Sequence, residues 1–356
     1  MKYVIFALSL LFFSCSEINK ETPPTLFGLP HIAIEMRESD FNDLMKNALV
    51  NEYAAITIER DGVKKYGRIR RRGHSSRYFP KPSFKVKTDC GENLNFIASN
   101  IDKSNVREVF SNIIFERLGF LVPKNEFVAI SINNIYQGLY FTREQIDENF
   151  FASRNIEVNS LYAIRNYAKF TFRNGYNPRM GFEKILPQNS INYDDLNALI
   201  QALDDNNRWQ IESFLDMVNI VLYSFTSSII NNDDGITKNL HIANIRTENI
   251  NRFQIIPYDL DLTFGQQANG NIASFHGFPK FENGLLERAE EIFTGGIDRE
   301  PTLFGIAHRI YLMAENSLDS LRNHIFEAYK NDPYLRGENL DGHIEKIKNY
   351  ISAMQR

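Results

Sequence analysis

The sequence predicts an α+β fold in two lobes, strand-rich first and mostly helical second, on three observations. Strand-like runs pair across tight polar turns in its first part: Tyr53 to Arg60 and Val63 to Arg71 flank Asp61-Gly62, and Phe127 to Ile132 and Ile135 to Thr142 flank Asn133-Asn134. Such turns are the shortest-range hairpin signal a sequence offers. Beyond Asn149 the apolar spacing turns helical, and at 356 residues the chain exceeds the roughly 100–200 residues of a single domain. The expected limits are a leader over 1–14, a tether over 15–28, a first lobe over 29–147 and a second over 148–356.

The leader is a single early Lys followed by an apolar run that stops at Cys15, short for a spanning helix. It reads as a bacterial lipoprotein signal, with Cys15 as the acylated residue and the Pro-containing stretch Glu17 to Phe27 as a tether. The expected location is therefore the cell envelope, extracytoplasmic, with membrane contact only through the lipid on Cys15. Cys90 is the one other cysteine, so core packing rather than a disulfide must hold the fold. A hydrophobic content of 43% with 24% charged residues is ordinary for a globular chain.

In order, Leu29 to Glu35 reads as an opening strand and Glu38 to about Leu49 as a helix. From Arg60 to Lys87 there are eleven Lys or Arg and one acid, Asp61, inside a chain of net charge −4. An anion is expected there, and Gly73-His-Ser-Ser-Arg77 supplies backbone N–H groups, hydroxyls and Arg to cradle it. Lys81, Ser83, Lys85 and Lys87 share one face of the next strand, opposite Phe84 and Val86. Ser104 to Leu118 is an amphipathic helix, capped by Ser104 and ended by Gly119, and it offers Glu108 or Glu116 as partner to a Lys. Arg143 to Asp147 falls where a hinge between lobes belongs. Tyr193 to Leu203 and Trp209 to Ile230 are helical, the second a buried support, with a polar and aromatic insertion over Tyr162 to Arg179. The Gly- and Asn-rich Gln266 to Pro279 reads as a mobile lid, and Leu285 to Phe293, Pro301 to Lys330 and His343 to Met354 as helical scaffold.

Between the buried helix and the lid lie two clusters of hard oxygen ligands. Asn231, Asn232, Asp233, Asp234 and Asn239 form the first; two strand-like runs later come Asp259 and Asp261. Folded together by a hairpin, they suit Mg²⁺, which takes one or two carboxylates and leaves room for water and phosphate. Asp234 and Asn239 are also five apart, the separation of base and metal-binding Asn in a kinase catalytic loop. The pattern points to phosphoryl transfer. The overall charge gives no support for nucleic acid as partner. The seven His show no zinc spacing, and no Gly-x-Ser-x-Gly or Cys–His pattern of a nucleophilic hydrolase is present.

Three blocks also carry a likeness to a known family. They are Arg70-Arg-Arg-Gly-His-Ser-Ser-Arg77 with Lys81-Pro-Ser-Phe-Lys-Val-Lys87, then Val122 to Val128 running through Asn133-Asn134 and Gly138-Leu-Tyr140 to Glu144-Gln-Ile-Asp147, and Ser228 to Gly265. In these blocks, over roughly 55–270, the sequence resembles the CotH family of atypical, protein-kinase-like spore-coat proteins, with Tyr258 where Trp usually precedes the first Asp. The resemblance implies an antiparallel-sheet N-lobe with one packed helix, and a mostly helical C-lobe carrying a catalytic hairpin. It implies ATP and Mg²⁺ as cofactors and a protein Ser or Thr hydroxyl as acceptor. Asp234 would orient and deprotonate the acceptor, and Asn239, Asp259 and Asp261 would hold the metal. Arg72, Ser75, Ser76, Arg77, Lys81 and Lys85 would meet the phosphates, with Glu144 on the ribose or adenine side. Because ATP is scarce beyond the inner membrane, two alternatives stand beside this: a ligand-binding surface scaffold on a kinase-like frame, and a phosphohydrolase using the same acids.

Overall fold

A computed structural model of the chain describes residues 25–48, 51–73, 75–165, 168–232, 234–247, 250–275, 277, 284–295 and 299–355. The expected signal, Cys15, most of the tether, His74 and Asp233 lie outside the described residues.

The first lobe is built from β1 (Thr25–Leu26), β2 (Leu29–Glu35), β3 (Ala54–Arg60), β4 (Val63–Arg72), β5 (Ser83–Thr88), β6 (Asn93–Ile97), β7 (Asn125–Ile132) and β8 (Ile135–Arg143). Helix α1 (Glu38–Lys46) follows β2, and α2 (Arg107–Arg117) follows β6. Both expected hairpins form. Asn133 and Asn134 take φ of 49° and 62°, the left-handed pair that a two-residue turn between strands requires. One pairing was not legible in the sequence: β2 pairs antiparallel with β3 and parallel with β7, so the sheet closes on itself. The alternation of β2, β3, β5 and β7 then acquires an inside. Ile32, Ile34, Ile56, Ile58, Phe84, Val86, Val128, Ile130 and Ile132 fill the closed sheet, while Phe127, Ala129, Leu139 and Phe141 face the main core outside it.

Helix α2 lies in that outer core, and instead of one apolar stripe it buries Val109, Phe110, Ile114 and Phe115 together with Arg107, Glu108 and Ser111. Its expected Ser104 cap is corrected. The Asp102 carboxylate accepts the Arg107 N–H at 3.0 Å, and the Ser104 hydroxyl is itself bonded to Asp102. A buried, helix-starting Arg needs its counter-charge there, and Asp102 supplies it at 2.5 Å.

The second lobe holds α3 (Glu148–Ala152), β9 (Glu157–Ile164), β10 (Phe182–Leu186), α4 (Asp194–Asp204), α5 (Arg208–Phe214), α6 (Met217–Ile230), α7 (Asp234–Thr237), β11 (Leu240–Thr247), β12 (Ile250–Pro257), α8 (Gly284–Thr294), α9 (Glu300–Lys330) and α10 (Leu340–Ala353). The mostly helical second lobe with its β11/β12 hairpin forms as expected, and β9 and β10 extend that hairpin into a sheet ordered β10-β9-β11-β12. The segment expected as one helix from Trp209 to Ile230 breaks at Leu215-Asp216. There Asp216 caps α6 through Asn219 N, and Trp209 is left exposed. The described part of the expected lid folds back, with Ala273 N donating to Gly265 O at 2.8 Å and Gln267 N to Asn271 O at 2.9 Å.

Two polar ties set the geometry. Asp332, beyond the end of α9 and fully buried, accepts from Lys81 Nζ at 2.5 Å and from Leu139 N at 2.7 Å. Gly138 makes room for it, since a Cβ there would stand 2.4 Å from Asp332 Oδ2. In the second lobe, Asp195 at the start of α4 accepts from the Ser160 hydroxyl, from Tyr162 Oη at 2.6 Å and from Asn244 Nδ2 at 3.1 Å, joining β9 and β11 to the helix.

Lys81→Met strips the buried Asp332 of its cation and is expected to cost about 3–5 kcal/mol in urea unfolding; Gly138→Ala should also destabilise, because its φ is +114° and the carboxylate occupies the space. Burial raises the Asp195 carboxyl, but the hydrogen bonds from Ser160, Tyr162 and Asn244 outweigh it and hold the group below its usual range. That stabilisation is fully present above the unfolded carboxyl value of about 3.9 and is lost as pH falls from there through the lower folded-state value. Asp195→Asn should therefore flatten the acid limb of the stability–pH curve, as read by urea midpoints from neutral pH down to about 3.

Candidate active site

The acidic hairpin is aimed by its ends. Helix α6 stops where Asn231 turns left-handed at φ 53°, and buried Asn232 donates its N–H to Ser227 O at 2.8 Å. Gly235 lies flat against Asn232, a Cβ there falling 2.1 Å from Nδ2, and Tyr223 Oη donates to Gly235 O at 2.6 Å. Asn231 and Asn232 thus build the turn that presents Asp234. Its carboxylate is half-buried, 3.1 Å from Lys238 Nζ and 3.3 Å from Asn239 Nδ2. The register places Leu240 opposite Pro257, so Asn239 and Tyr258 leave the open end of the hairpin side by side.

Past Tyr258 the backbone is fixed from both lobes. Asp259 takes a positive φ of 60°, and its Oδ1 accepts from Arg143 Nη2 at 2.7 Å. Arg143 closes β8; its guanidinium grips both oxygens of Glu108 and lies 4.8 Å over the Tyr258 ring. The following turn is pinned to α2 and α6: Arg107 Nε donates to Thr263 O at 3.1 Å, Ser111 and Thr263 hydroxyls meet at 3.0 Å, and Phe264 N donates to Ile230 O at 2.6 Å. Asp261 lies between these anchors.

Charge on this turn is unbalanced. Burial raises Asp259, but the Arg143 charge and hydrogen bond outweigh that and, with Arg72 and Lys238, hold it below the carboxylate range. Asp261 has no such relief. Burial, then the charges of Asp259 and Glu108, push its carboxyl well above the usual range, and its carboxylate makes no hydrogen bond or ion pair among the described residues. A carboxylate in that position fits a hard cation, with Asn239 and Asp259 as the neighbouring oxygen donors. Among the described residues no three His, Cys, Asp or Glu form a ready cage, so the fit is to an ion that keeps water or phosphate in its shell.

The basic loop comes to the same place. Arg72, the last residue of β4, donates from Nη2 to Tyr258 Oη at 3.0 Å, and its Nη1 is buried with no partner. Burial raises the Tyr258 hydroxyl, yet Arg143 and Arg72 bring it below its ordinary value. Gly73, at φ +104°, has the Ser76 hydroxyl against its α-carbon, where a Cβ would sit 2.0 Å away. Ser75, Ser76 and Arg77 follow in a 3₁₀ turn (Ser75–Tyr78), held at Arg77 O by Arg71 Nη1 at 2.6 Å. Lys85 stands beside Arg72 with Nζ 3.5 Å from Gln145 Oε1.

Two expected residues are not at this site. Lys81 is corrected to an interior ion pair: 3% exposed, it is committed to Asp332 and to Leu139 O at 2.5 Å. Both Glu144 oxygens are taken by Arg154, at 2.9 and 2.7 Å, and by Lys124 N at 3.0 Å, so it braces the segment between the lobes. Its neighbour Gln145 is the one that faces Lys85. Glu108 does pair with a cation, but that cation is Arg143 and no Lys. Arg143 and Lys238 were missed by sequence reading. Arg143 ends an apolar strand as a lone charge, and Lys238 lies one helical turn after Asp234, and neither signal names a partner.

The chain is similar to known proteins. The chain is 22% identical over 365 residues to the inner spore coat protein H of Bacillus subtilis (strain 168), over 92% of this chain and 99% of that protein. A crystal structure of a Helicobacter pylori proinflammatory kinase, CtkA, aligns over 86% of this chain and 88% of its own, at 12% identity and a TM-score of 0.34. The family model described as CotH kinase protein matches residues 69–355. It runs beyond the roughly 55–270 in which the sequence blocks were legible and takes in α9, α10 and Asp332. With four-fifths of its length so matched, this kinase-like chain belongs to the CotH kinase family.

Proposed function

We propose that the protein transfers the terminal phosphate of a Mg²⁺-bound nucleotide, ATP in the first instance, to a Ser or Thr hydroxyl of another protein. The observation that carries this is the meeting, at Tyr258, of an uncompensated acidic turn and a cationic rim with a partnerless buried donor on Arg72. A metal ion between carboxylates and phosphate would neutralise charge on the transferring group. The chain's own residues do the rest by position. Asp234 lies 3.3 Å from Asn239 and in reach of the same turn, placed to orient a hydroxyl and accept its proton. Asp261 and Asn239 would hold the ion and Asp259 would assist. Arg72, Ser75, Ser76, Arg77 and Lys85 spread the charge of the phosphates. Arg143 is a positioning residue, locking Asp259 against α2 through Glu108.

Preformed positioning of this kind is most of what phosphoryl transfer asks of a protein. A lipid anchor at Cys15 would put the reaction in the cell envelope, where the nucleotide must be supplied early or from an unusual source.

In the test, the purified protein is incubated with labelled ATP, Mg²⁺ and a Ser/Thr-containing acceptor protein. Nucleotide with Mg²⁺ at a hundred times its Kd should add about 2.7 kcal/mol to unfolding stability, and label should appear on protein. Label appearing as free phosphate would make the protein a hydrolase; a thermal shift without label would make it a nucleotide-binding scaffold; no shift with any nucleotide would end the proposal. Asp261→Ala should lower transfer by roughly 10²–10³-fold while leaving the fold intact. Arg143→Met should cost about 3–5 kcal/mol by leaving Glu108 buried and unpaired. Adding Glu108→Leu should restore most of that stability in urea without restoring transfer, since Asp259 is still unheld.

A further inference from the structure

Beside Arg72 and Lys85, the outer face of β4 and β5 carries further charge, on Arg68, Arg70 and Lys87, that the transfer chemistry leaves unused. Cross-strand register pairs Arg72 with Ser83, Arg70 with Lys85 and Arg68 with Lys87, and the intervening Ile69, Phe84 and Val86 point into the closed sheet. Two of these three rungs are therefore cation opposite cation. Such pairs destabilise a sheet, and burial together with its cationic neighbours Lys87, Arg72 and Arg70 lowers the Lys85 ammonium.

The rest of β4 is not built this way. Lys64 and Lys65 are answered by Glu59 at 3.5 Å and Glu92 at 2.7 Å. Among the described residues, Arg68, Arg70, Lys85 and Lys87 have no carboxylate partner; Arg70 is bonded to Asn51 Oδ1 at 2.8 Å and Lys85 to Gln145. Three of the four instead crowd one aromatic ring: Arg68, Arg70 and Lys87 lie 5.1, 5.2 and 5.8 Å from the Tyr53 centroid. Beyond Lys87 the face opens into a concavity of about 850 Å³ walled by Tyr53, Tyr66, Arg68 and Lys87. The Tyr66 ring at its edge is 73% exposed.

We propose that this strip, from the Tyr66 concavity along Arg68, Arg70 and Lys87 to the Arg72 rim, docks an extended acidic peptide segment flanking the hydroxyl that receives phosphate. The spacing suits it, because side chains two apart on a strand recur every ~6.6–6.8 Å. Alternate acidic residues of an extended peptide would then meet successive rungs, with the exposed Tyr66 ring beside its stem. A long nucleic acid fits less well, because its phosphates would extend beyond this short strip over a molecule of net charge −4. The proposal rests on the phosphoryl-transfer function for what lies at the far end of the strip, but docking itself does not.

The test uses the purified protein and fluorescein-labelled twelve-residue peptides: one alternating Glu and Ser, one alternating Gln and Ser, beside an oligothymidylate of equal length. The Glu peptide should bind, weaken with added salt, and lose roughly tenfold in affinity with the Arg68→Gln, Lys87→Gln double variant, which removes two cationic pairings and their shared field. In that variant the thermal shift caused by nucleotide with Mg²⁺ should be unchanged, because Arg72 and the acidic turn are untouched. Equal binding of the Gln peptide, equal binding by the variant, or tighter binding of the oligothymidylate would overturn the proposal. Glu-peptide docking that survives a null result with nucleotide would leave the strip standing while the transfer function falls.

Discussion

A single guanidinium holds the two halves of the candidate site in register. Arg143 ends the last strand of the closed sheet, grips Glu108 on α2, hydrogen-bonds Asp259 and lies over the Tyr258 ring. Those contacts join β8 to α2 and to the turn after β12. If the guanidinium moved, a buried carboxylate would be left bare on α2 and the acidic turn would lose its bond from β8. The acidic turn is therefore tied to the first lobe through an Arg–Glu pair at the end of β8, with Lys85 standing apart beside Gln145.

The site is electrostatically expensive as it stands. Asp259 is stabilised as an anion, while Asp261, two residues on along the same turn, is pushed up by burial and by the charges of Asp259 and Glu108 more than Arg143 relieves it, and makes no hydrogen bond or ion pair among the described residues. Folding tolerates this because the surrounding turn is over-determined: Arg107, Ser111 and Ile230 fix Thr263 and Phe264, and the Tyr223–Gly235 bond fixes the turn before Asp234. Strain of this type concentrates at sites that await a ligand. The buried, partnerless Nη1 of Arg72 across the gap is the complementary deficit, a donor without an acceptor.

Stability is supplied elsewhere, by apolar cores and by buried ion pairs that make no contact with the gap. The Lys81–Asp332 pair joins the strand after the basic loop to the end of the longest helix, and Gly138 is glycine because that carboxylate needs its space. This explains why the family match reaches residue 355 although the recognisable motifs end near Gly265. The C-terminal helices are part of how the first lobe is closed and aimed.

The sequence by itself determined the hairpins, the helices of the second half, the basic loop and the two acidic clusters, because each is written in nearest-neighbour terms: turn residues, alternation, spacing. Asp61-Gly62 and Asn133-Asn134 specify their turns without help from the rest of the chain. What tertiary structure alone decided were the partners. Alternation in β2 says which side is apolar but not that β7 will lie parallel beside it and close the sheet. A lysine on a basic strand looks the same whether it meets phosphate or Asp332, more than two hundred residues away. Lys81, Glu144 and Ser104 were therefore read by type and placed by contact, and β9 was hidden because its strand partner β11 comes from the acidic hairpin. Local rules fix the direction in which a side chain points; only the folded chain fixes what stands there to meet it.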